Sequence, residues 1–209
     1  EKSIIEASKK IKKANPDVLY FADSLGAMNT EDVSKCIKYI RTQWSGEIGI
    51  HTHNNLGKAV SNSISAIENG ATWIDSTVTG MGRGPGNSET EYILIEMSKF
   101  SKKKYNLLPL TKIIKNYFEP LKTRYKWGPN TFYYLAGKHG IHPTYIQEML
   151  TIKMDEIEIL EAIKQLKVKD GNKYDVNLVK SEFQKPIKLE KGSWSPKNKL
   201  KNKEVLLLS

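Results

Sequence analysis

Gly46-Glu47-Ile48-Gly49-Ile50-His51-Thr52-His53-Asn54-Asn55-Leu56-Gly57 runs from an apolar segment straight into two histidines and then into a polar turn. Side chains alternate along a strand, so His51 and His53 point to one side and both imidazoles can reach one point. Beyond them Leu56, Ala59, Val60, Ile64 and Ile67 recur at helical spacing, and Gly70 ends that helix. A strand that passes at once into a helix, with polar residues at its carboxyl end, is the repeating unit of parallel α/β sheets.

The same unit stands on either side. Val18-Leu19-Tyr20-Phe21-Ala22 reads as a strand buried on both faces and closes in Asp23-Ser24. Before it, Ile4, Ile5, Ala7, Ser8 and Ile11 mark a helix stopped by Asn15-Pro16. After the turn at Gly26, Thr30 caps a helix through Val33, Cys36, Ile37, Ile40 and Trp44. Trp73–Val78 is a third strand, followed by a glycine-rich loop and a helix over Thr90–Phe100. Such alternation predicts parallel strands joined by right-handed crossovers. A doubly wound sheet and a (β/α)8 barrel both satisfy it; a barrel needs about 250 residues, so three units do not choose.

The 209 residues are 39% hydrophobic, enough to build a core, which excludes a wholly disordered chain. The net charge of +10 is uneven: residues 1–100 hold 11 basic and 12 acidic side chains, whereas residues 101–209 hold 22 and 11. The excess is carried by lysines without the arginines and interleaved aromatics of a nucleic-acid surface, so no nucleic-acid partner is expected. No apolar run approaches the ~20 residues of a membrane span and no signal peptide opens the chain, so no membrane partner is expected. A single cysteine, Cys36, excludes an internal disulfide and fits a cytoplasmic protein.

Neutral imidazoles are common ligands for divalent metals, so His51-Thr52-His53 is a candidate metal pair. Asp75 at the third strand could bind a metal, orient a histidine or cap the following helix, with a buried structural role the alternative. Gly80-Met81-Gly82-Arg83-Gly84-Pro85-Gly86-Asn87 invites a phosphate-loop reading, but Pro85 occupies the third glycine position of a dinucleotide fingerprint. The alternative is a tight loop passing close to a ligand or a neighbouring strand, with Asn87 capping the next helix or turning its amide inward.

His-Thr-His-Asn-Asn-Leu-Gly (51–57), Asn-Gly-Ala (69–71), Asp75 and Gly-Met-Gly-Arg-Gly-Pro-Gly-Asn-Ser-Glu (80–89) together resemble the metal-dependent pyruvate-aldolase/HMG-CoA-lyase-like TIM barrels. Ala-Asp-Ser-Leu-Gly-Ala-Met (22–28) is most similar to the 4-hydroxy-2-oxovalerate aldolase branch. The resemblance covers roughly residues 1–100 and selects an α/β fold holding the last three strands of a (β/α)8 TIM barrel, followed by an α-helical extension. It implies that His51, His53 and Asn87 hold Mn²⁺ or Mg²⁺ and that Ser24 lies beside a bound 2-oxo acid. It also implies that the ion stabilises an enolate as a carbon–carbon bond breaks or forms. Its first-strand Asp and Arg have no counterpart in these residues. Residues 80–87 lack the cysteine of HMG-CoA lyases, and Asn54 stands where the aldolases often have another histidine. A Claisen-type acyl-CoA condensing enzyme, as in isopropylmalate and citramalate synthases, is the alternative within the family. A noncatalytic fragment or interaction module is the alternative outside it.

The expected organisation is a barrel half over 1–104, a helical extension over 105–167, a basic linker over 168–203 and the start of a further domain over 204–209. Both ends are expected to be cut, and the exposed barrel edges favour a homo-oligomer. Ile113, Ile114, Tyr117, Phe118 and Leu121 form one expected apolar face, and Met154–Leu166 an amphipathic helix. In the aldolases such an extension packs on an aldehyde dehydrogenase partner and lends the site a catalytic tyrosine. Tyr133 or Tyr134 stands for that residue, with core packing the alternative role; His139 and His142 are expected at the surface or as caps.

Overall fold

A computed structural model describes residues 1–102, 104–169 and 171–176. Glu1–Asp175 forms one compact unit. Most of the expected basic linker and the whole run 204–209 lie outside the described residues.

Three parallel strands, β1 (Val18–Asp23), β2 (Glu47–Thr52) and β3 (Trp73–Ile74), form a sheet in that order. Ala22 lies opposite His51, Asp23 opposite Thr52 and Ile50 opposite Ile74. Helix α1 (Lys2–Lys13) precedes β1, α2 (Thr30–Arg41) joins β1 to β2, and α3 (Ala59–Glu68) joins β2 to β3. Leu19, Ile48 and Ile50 form one core with Val33, Ile37 and Ile40 of α2 and Ala66 of α3. Each large aliphatic side chain buried there stabilises the fold by about 1.5–3 kcal/mol.

Strand β1 is buried on one face only. Tyr20 and Ala22 belong to the opposite face and are exposed, Tyr20 by 41%. The third strand is shorter than Trp73–Val78. The Asp75 N–H still donates to the Ile50 carbonyl at 3.0 Å, but the Thr77 N–H turns to the Ser88 carbonyl, so the ladder ends where the chain is redirected. Asn29, not Thr30, caps α2: its Oδ1 accepts from the Glu31 and Asp32 N–H groups while Asp32 accepts from the Asn29 N–H. Thr30 is displaced inward because this reciprocal pair satisfies the first-turn donors one residue earlier.

Asp23 is 4% exposed and grips the loop after β1, its two carboxylate oxygens accepting from the Ala27 and Met28 N–H groups at 3.0 and 3.1 Å. Burial raises its pKa above the ordinary carboxylate value, and these backbone donors offset only part of that rise.

Helix α4 (Thr90–Glu96) passes into a 3₁₀ turn over Met97–Lys99 before Phe100. Helix α5 (Leu108–Ile113) widens into a π-helical turn over Ile114–Phe118 and continues as α6 (Glu119–Tyr125). Pro120, lacking an N–H and crowding the carbonyl four residues back, accounts for the widening. The widened turn divides the expected apolar face: Ile114 and Phe118 are half-buried, while Ile113, Tyr117 and Leu121 are exposed. Helices α7 (Thr131–Lys138), α8 (Pro143–Thr151) and α9 (Glu156–Val168) bury Tyr133, Ala136, Ile146, Met149, Ile159, Ile163 and Leu166. His142 caps α8, accepting from the Thr144 N–H at 3.3 Å, and His139 is exposed. Among the described residues no helix is long and apolar enough to cross a membrane.

Replacing Asp23 by Ala leaves two loop N–H groups without an acceptor and is expected to cost about 1–3 kcal/mol, read by denaturant unfolding. Burial pushes the Cys36 thiol up to about 11. Native Cys36 is therefore expected to react with iodoacetamide at pH 8 on the order of a hundredfold more slowly than the unfolded chain, because the thiolate is the nucleophile.

Candidate functional site

The open face of the sheet collects the residues that can do chemistry. Strand alternation places Tyr20 and Ala22 of β1, Gly49 and His51 of β2, and Asp75 just past β3 on it. The His51 and His53 ring centroids lie 5.0 Å apart at an interplanar angle of 81°. The His51 Nδ1 faces Asp75 Oδ2 at 3.1 Å. The Asp75 side chain that faces it is 46% exposed and so is not buried within a strand. Partial burial and the Asp75 carboxylate raise the Tyr20 phenol above its ordinary value. The Tyr20 ring covers Gly49, where a Cβ would fall 2.3 Å from it.

His53 is more enclosed. Burial, reinforced by His51 and Arg83, pushes its pKa down to about 4, so the ring is neutral at physiological pH. Its Nδ1 is buried without a hydrogen-bond partner. His53 pairs with Asn87 in an antiparallel bridge, and the adjoining Asn54 N–H donates to the Gly86 carbonyl at 3.0 Å. The Asn87 N–H returns to the Gly80 carbonyl at 3.1 Å, and its Nδ2 donates to the Met81 carbonyl at 3.2 Å. The Asn87 Oδ1 is left buried and unpartnered, so the amide turns inward and does not cap α4. The glycines serve close approach: a Cβ on Gly86 would meet the Gly80 carbonyl oxygen at 2.3 Å, and one on Gly82 the Asn87 amide at 2.6 Å.

Behind the histidines lies a buried polar layer. Thr52 Oγ1 bonds Ser63 Oγ at 3.1 Å, and Ser63 Oγ donates to Ser88 Oγ at 3.3 Å. Asn54 joins both sides: its Oδ1 accepts from the Ala59 N–H at the start of α3, and its Nδ2 donates to Glu89 Oε1 at 3.1 Å. Where the resemblance sets a histidine, this chain thus has a structural tie. Asn55 is fully buried between Gly26 and Gly137, its amide without hydrogen-bond partners.

The other expected site residues are dispersed. Ser24 follows β1 at the level of His53, by extension of the Asp23–Thr52 register, and is exposed. Tyr133 is 3% exposed, and a Cβ on Gly84 would lie 3.0 Å from its hydroxyl. Burial pushes its phenol up to about 12. Tyr134 is 46% exposed. Sequence reasoning passed over Tyr20, although it shares strand parity with Ala22 and Ser24. It also passed over Trp127, whose indole N–H reaches the Thr79 carbonyl from 48 residues away, a contact no local pattern signals.

Among the described residues no three His, Cys, Asp or Glu side chains converge on one metal position. The candidate donors are the two imidazoles and the amide oxygen of Asn87, whose backbone is bridged to His53. The buried, unpaired His53 Nδ1 and Asn87 Oδ1 fit an incoming polar or cationic group, because both otherwise remain desolvated without compensation.

Asn54→Ala is expected to cost about 2–3 kcal/mol, since it strands the Ala59 N–H and the half-buried Glu89 together. Thermal unfolding reads the loss, and a cost below 0.5 kcal/mol contradicts the tie.

The family model described as HMGL-like matches residues 1–115. The chain is 41% identical over 96 residues to a 4-hydroxy-2-oxovalerate aldolase of Carboxydothermus hydrogenoformans, a match covering 46% of this chain and 29% of that protein. It is 33% identical over 143 residues to 4-hydroxy-2-oxovalerate aldolase 2 of Nocardia farcinica, covering 68% and 41%. The chain thus spans well under half the length of these relatives. Among solved structures, the N-terminal domain of a protein from Bacteroides vulgatus described as an aldolase is similar at a TM-score of 0.63 and 35% identity, over 68% of this chain and 47% of that one. The carboxyl transferase domain of Rhizobium etli pyruvate carboxylase, determined with pyruvate and biocytin, is similar in fold at a TM-score of 0.61 and 16% identity, over 88% and 34%.

Proposed function

We propose that this chain, which belongs to the HMGL-like family, supplies the last three strands of a (β/α)8 barrel and its helical extension to a divalent-metal-dependent aldolase acting on a 2-oxo acid. One observation carries the reading. His51 and His53 meet at the carboxyl end of β2, and the backbone bridge sets Asn87, whose Oδ1 is buried and unpaired, opposite His53. Barrel enzymes build their sites at that end of the strands.

His51, His53 and Asn87 would hold Mn²⁺ or Mg²⁺. Bound there, the ion supplies Lewis-acid polarisation of the 2-oxo acid's carbonyl. Asp75 accepts from His51 Nδ1, fixes that tautomer and leaves Nε2 as the donor atom. Burial keeps His53 neutral, so one ring nitrogen retains a lone pair for a cation. Ser24, level with His53, contacts the substrate. By the resemblance, a tyrosine of the extension would give or hold a proton at a substrate oxygen; Tyr133, its hydroxyl beside Gly84, is the first candidate and the exposed Tyr134 the lesser, with core packing the alternative role of Tyr133. By the resemblance, an Asp and an Arg from a strand outside these 209 residues complete the site, so the chain alone is expected not to turn over. The aldolase relatives favour this reading over the acyl-CoA condensing alternative.

The test is solvent deuterium exchange into the methyl group of pyruvate with Mn²⁺, comparing the full-length protein with His51→Ala/His53→Ala. The double variant is expected to lose at least a hundredfold in exchange rate. Equal rates would sink the metal-centre reading.

A further inference from the structure

Thr79 is 7% exposed and sits at φ 55°, ψ 20°. A β-branched residue rarely adopts this left-handed conformation, which persists only where its surroundings over-determine it. Here both sides of the residue are tied. Its N–H donates to Glu91 Oε2 at 3.0 Å. Its carbonyl accepts from the Trp127 indole N–H at 3.0 Å and from Lys122 Nζ at 3.4 Å. The carbonyl is therefore held by the helical extension, by α6 and the turn that follows it.

Thr79 is also the hinge of the glycine loop. Gly80 follows it directly, and the Gly80 carbonyl receives the Asn87 N–H. Relaxing Thr79 to an extended conformation would swing the Gly80 carbonyl off the Asn87 N–H, one of the bonds that shape the turn holding Asn87 opposite His53. The same part of the extension touches the loop twice more. The Gly128 N–H donates to the Gly84 carbonyl at 3.0 Å, and a Cβ on Gly86 would lie 3.6 Å from the Trp127 ring.

We propose that Trp127 is a positioning residue for the candidate metal centre: its indole N–H latches Thr79 in the left-handed conformation and so fixes the turn that presents Asn87 beside His53. The positioning role rests on the metal-centre reading; the latch itself does not.

The experiment compares the full-length protein with Trp127→Phe, which keeps an aromatic ring and loses the N–H. Amide hydrogen exchange over residues 79–88 is expected to quicken about tenfold, with residues 33–50 unchanged. Mn²⁺ affinity, read by electron paramagnetic resonance of the free ion, is expected to weaken about tenfold. Unchanged exchange over 79–88 overturns the latch. Faster exchange with unchanged Mn²⁺ affinity overturns the positioning role. A wild-type protein that binds no Mn²⁺ overturns the metal-centre reading and that role together, while the exchange result still decides the latch. Thr79→Asn is the second variant, because Asn tolerates left-handed backbone. In that background Trp127→Phe is expected to quicken exchange no more than threefold, and an undiminished effect overturns the strain argument.

Discussion

The hydrogen bond from the Asn54 N–H to the Gly86 carbonyl joins the two segments on which everything at this site depends. On one side is the strand end that carries His51 and His53; on the other is the glycine loop that carries Asn87. Without that join, and the neighbouring His53–Asn87 bridge, the two imidazoles would face a loop free to choose its own path. Asn54 secures the same junction through its side chain, to Ala59 at the head of α3 and to Glu89. One residue thus links β2, α3 and the loop before α4. The buried Thr52, Ser63 and Ser88 hydroxyls repeat the linkage a layer deeper.

The sheet divides its labour by parity. Leu19, Ile48 and Ile50 face the helices and supply cohesion. Tyr20, His51 and Asp75 face away and supply polarity, and His51 engages Asp75 across the strand boundary. Parallel pairing makes this possible, because its register sets the carboxyl ends of the strands at one level. Gly49 belongs to the arrangement: it leaves room for the Tyr20 ring where a Cβ would collide.

Most of the αβ scaffold was legible in the sequence, since helix periodicity and short apolar runs are local signals that the three βα units obey. The histidine pair was legible for the same reason, two residues of equal parity at a strand end. What local pattern could not give was the far side of each contact. The Tyr20 face reads as apolar, and only the assembled sheet shows that it lies opposite the core. The third strand reads six residues long, but Thr77 finds a better partner in Ser88 than in β2. Ile113 and Tyr117 share a helical stripe with Ile114 and Phe118 until the turn ahead of Pro120 widens and separates them. Asn29 outcompeted Thr30 because Asp32 answers it, a reciprocity visible only when both ends of the pair are considered.

The Trp127–Thr79 contact has a kinetic meaning as well. The sheet pairs Leu19 with Ile48 and Ile50 with Ile74, closures of 29 and 24 residues. The glycine loop takes its final shape only when residues 43 and 48 positions downstream arrive at Thr79. Loop-closure entropy makes the longer connections slower to form. The sheet's own pairings are thus of shorter range than the contacts by which the extension completes the Gly80–Asn87 turn.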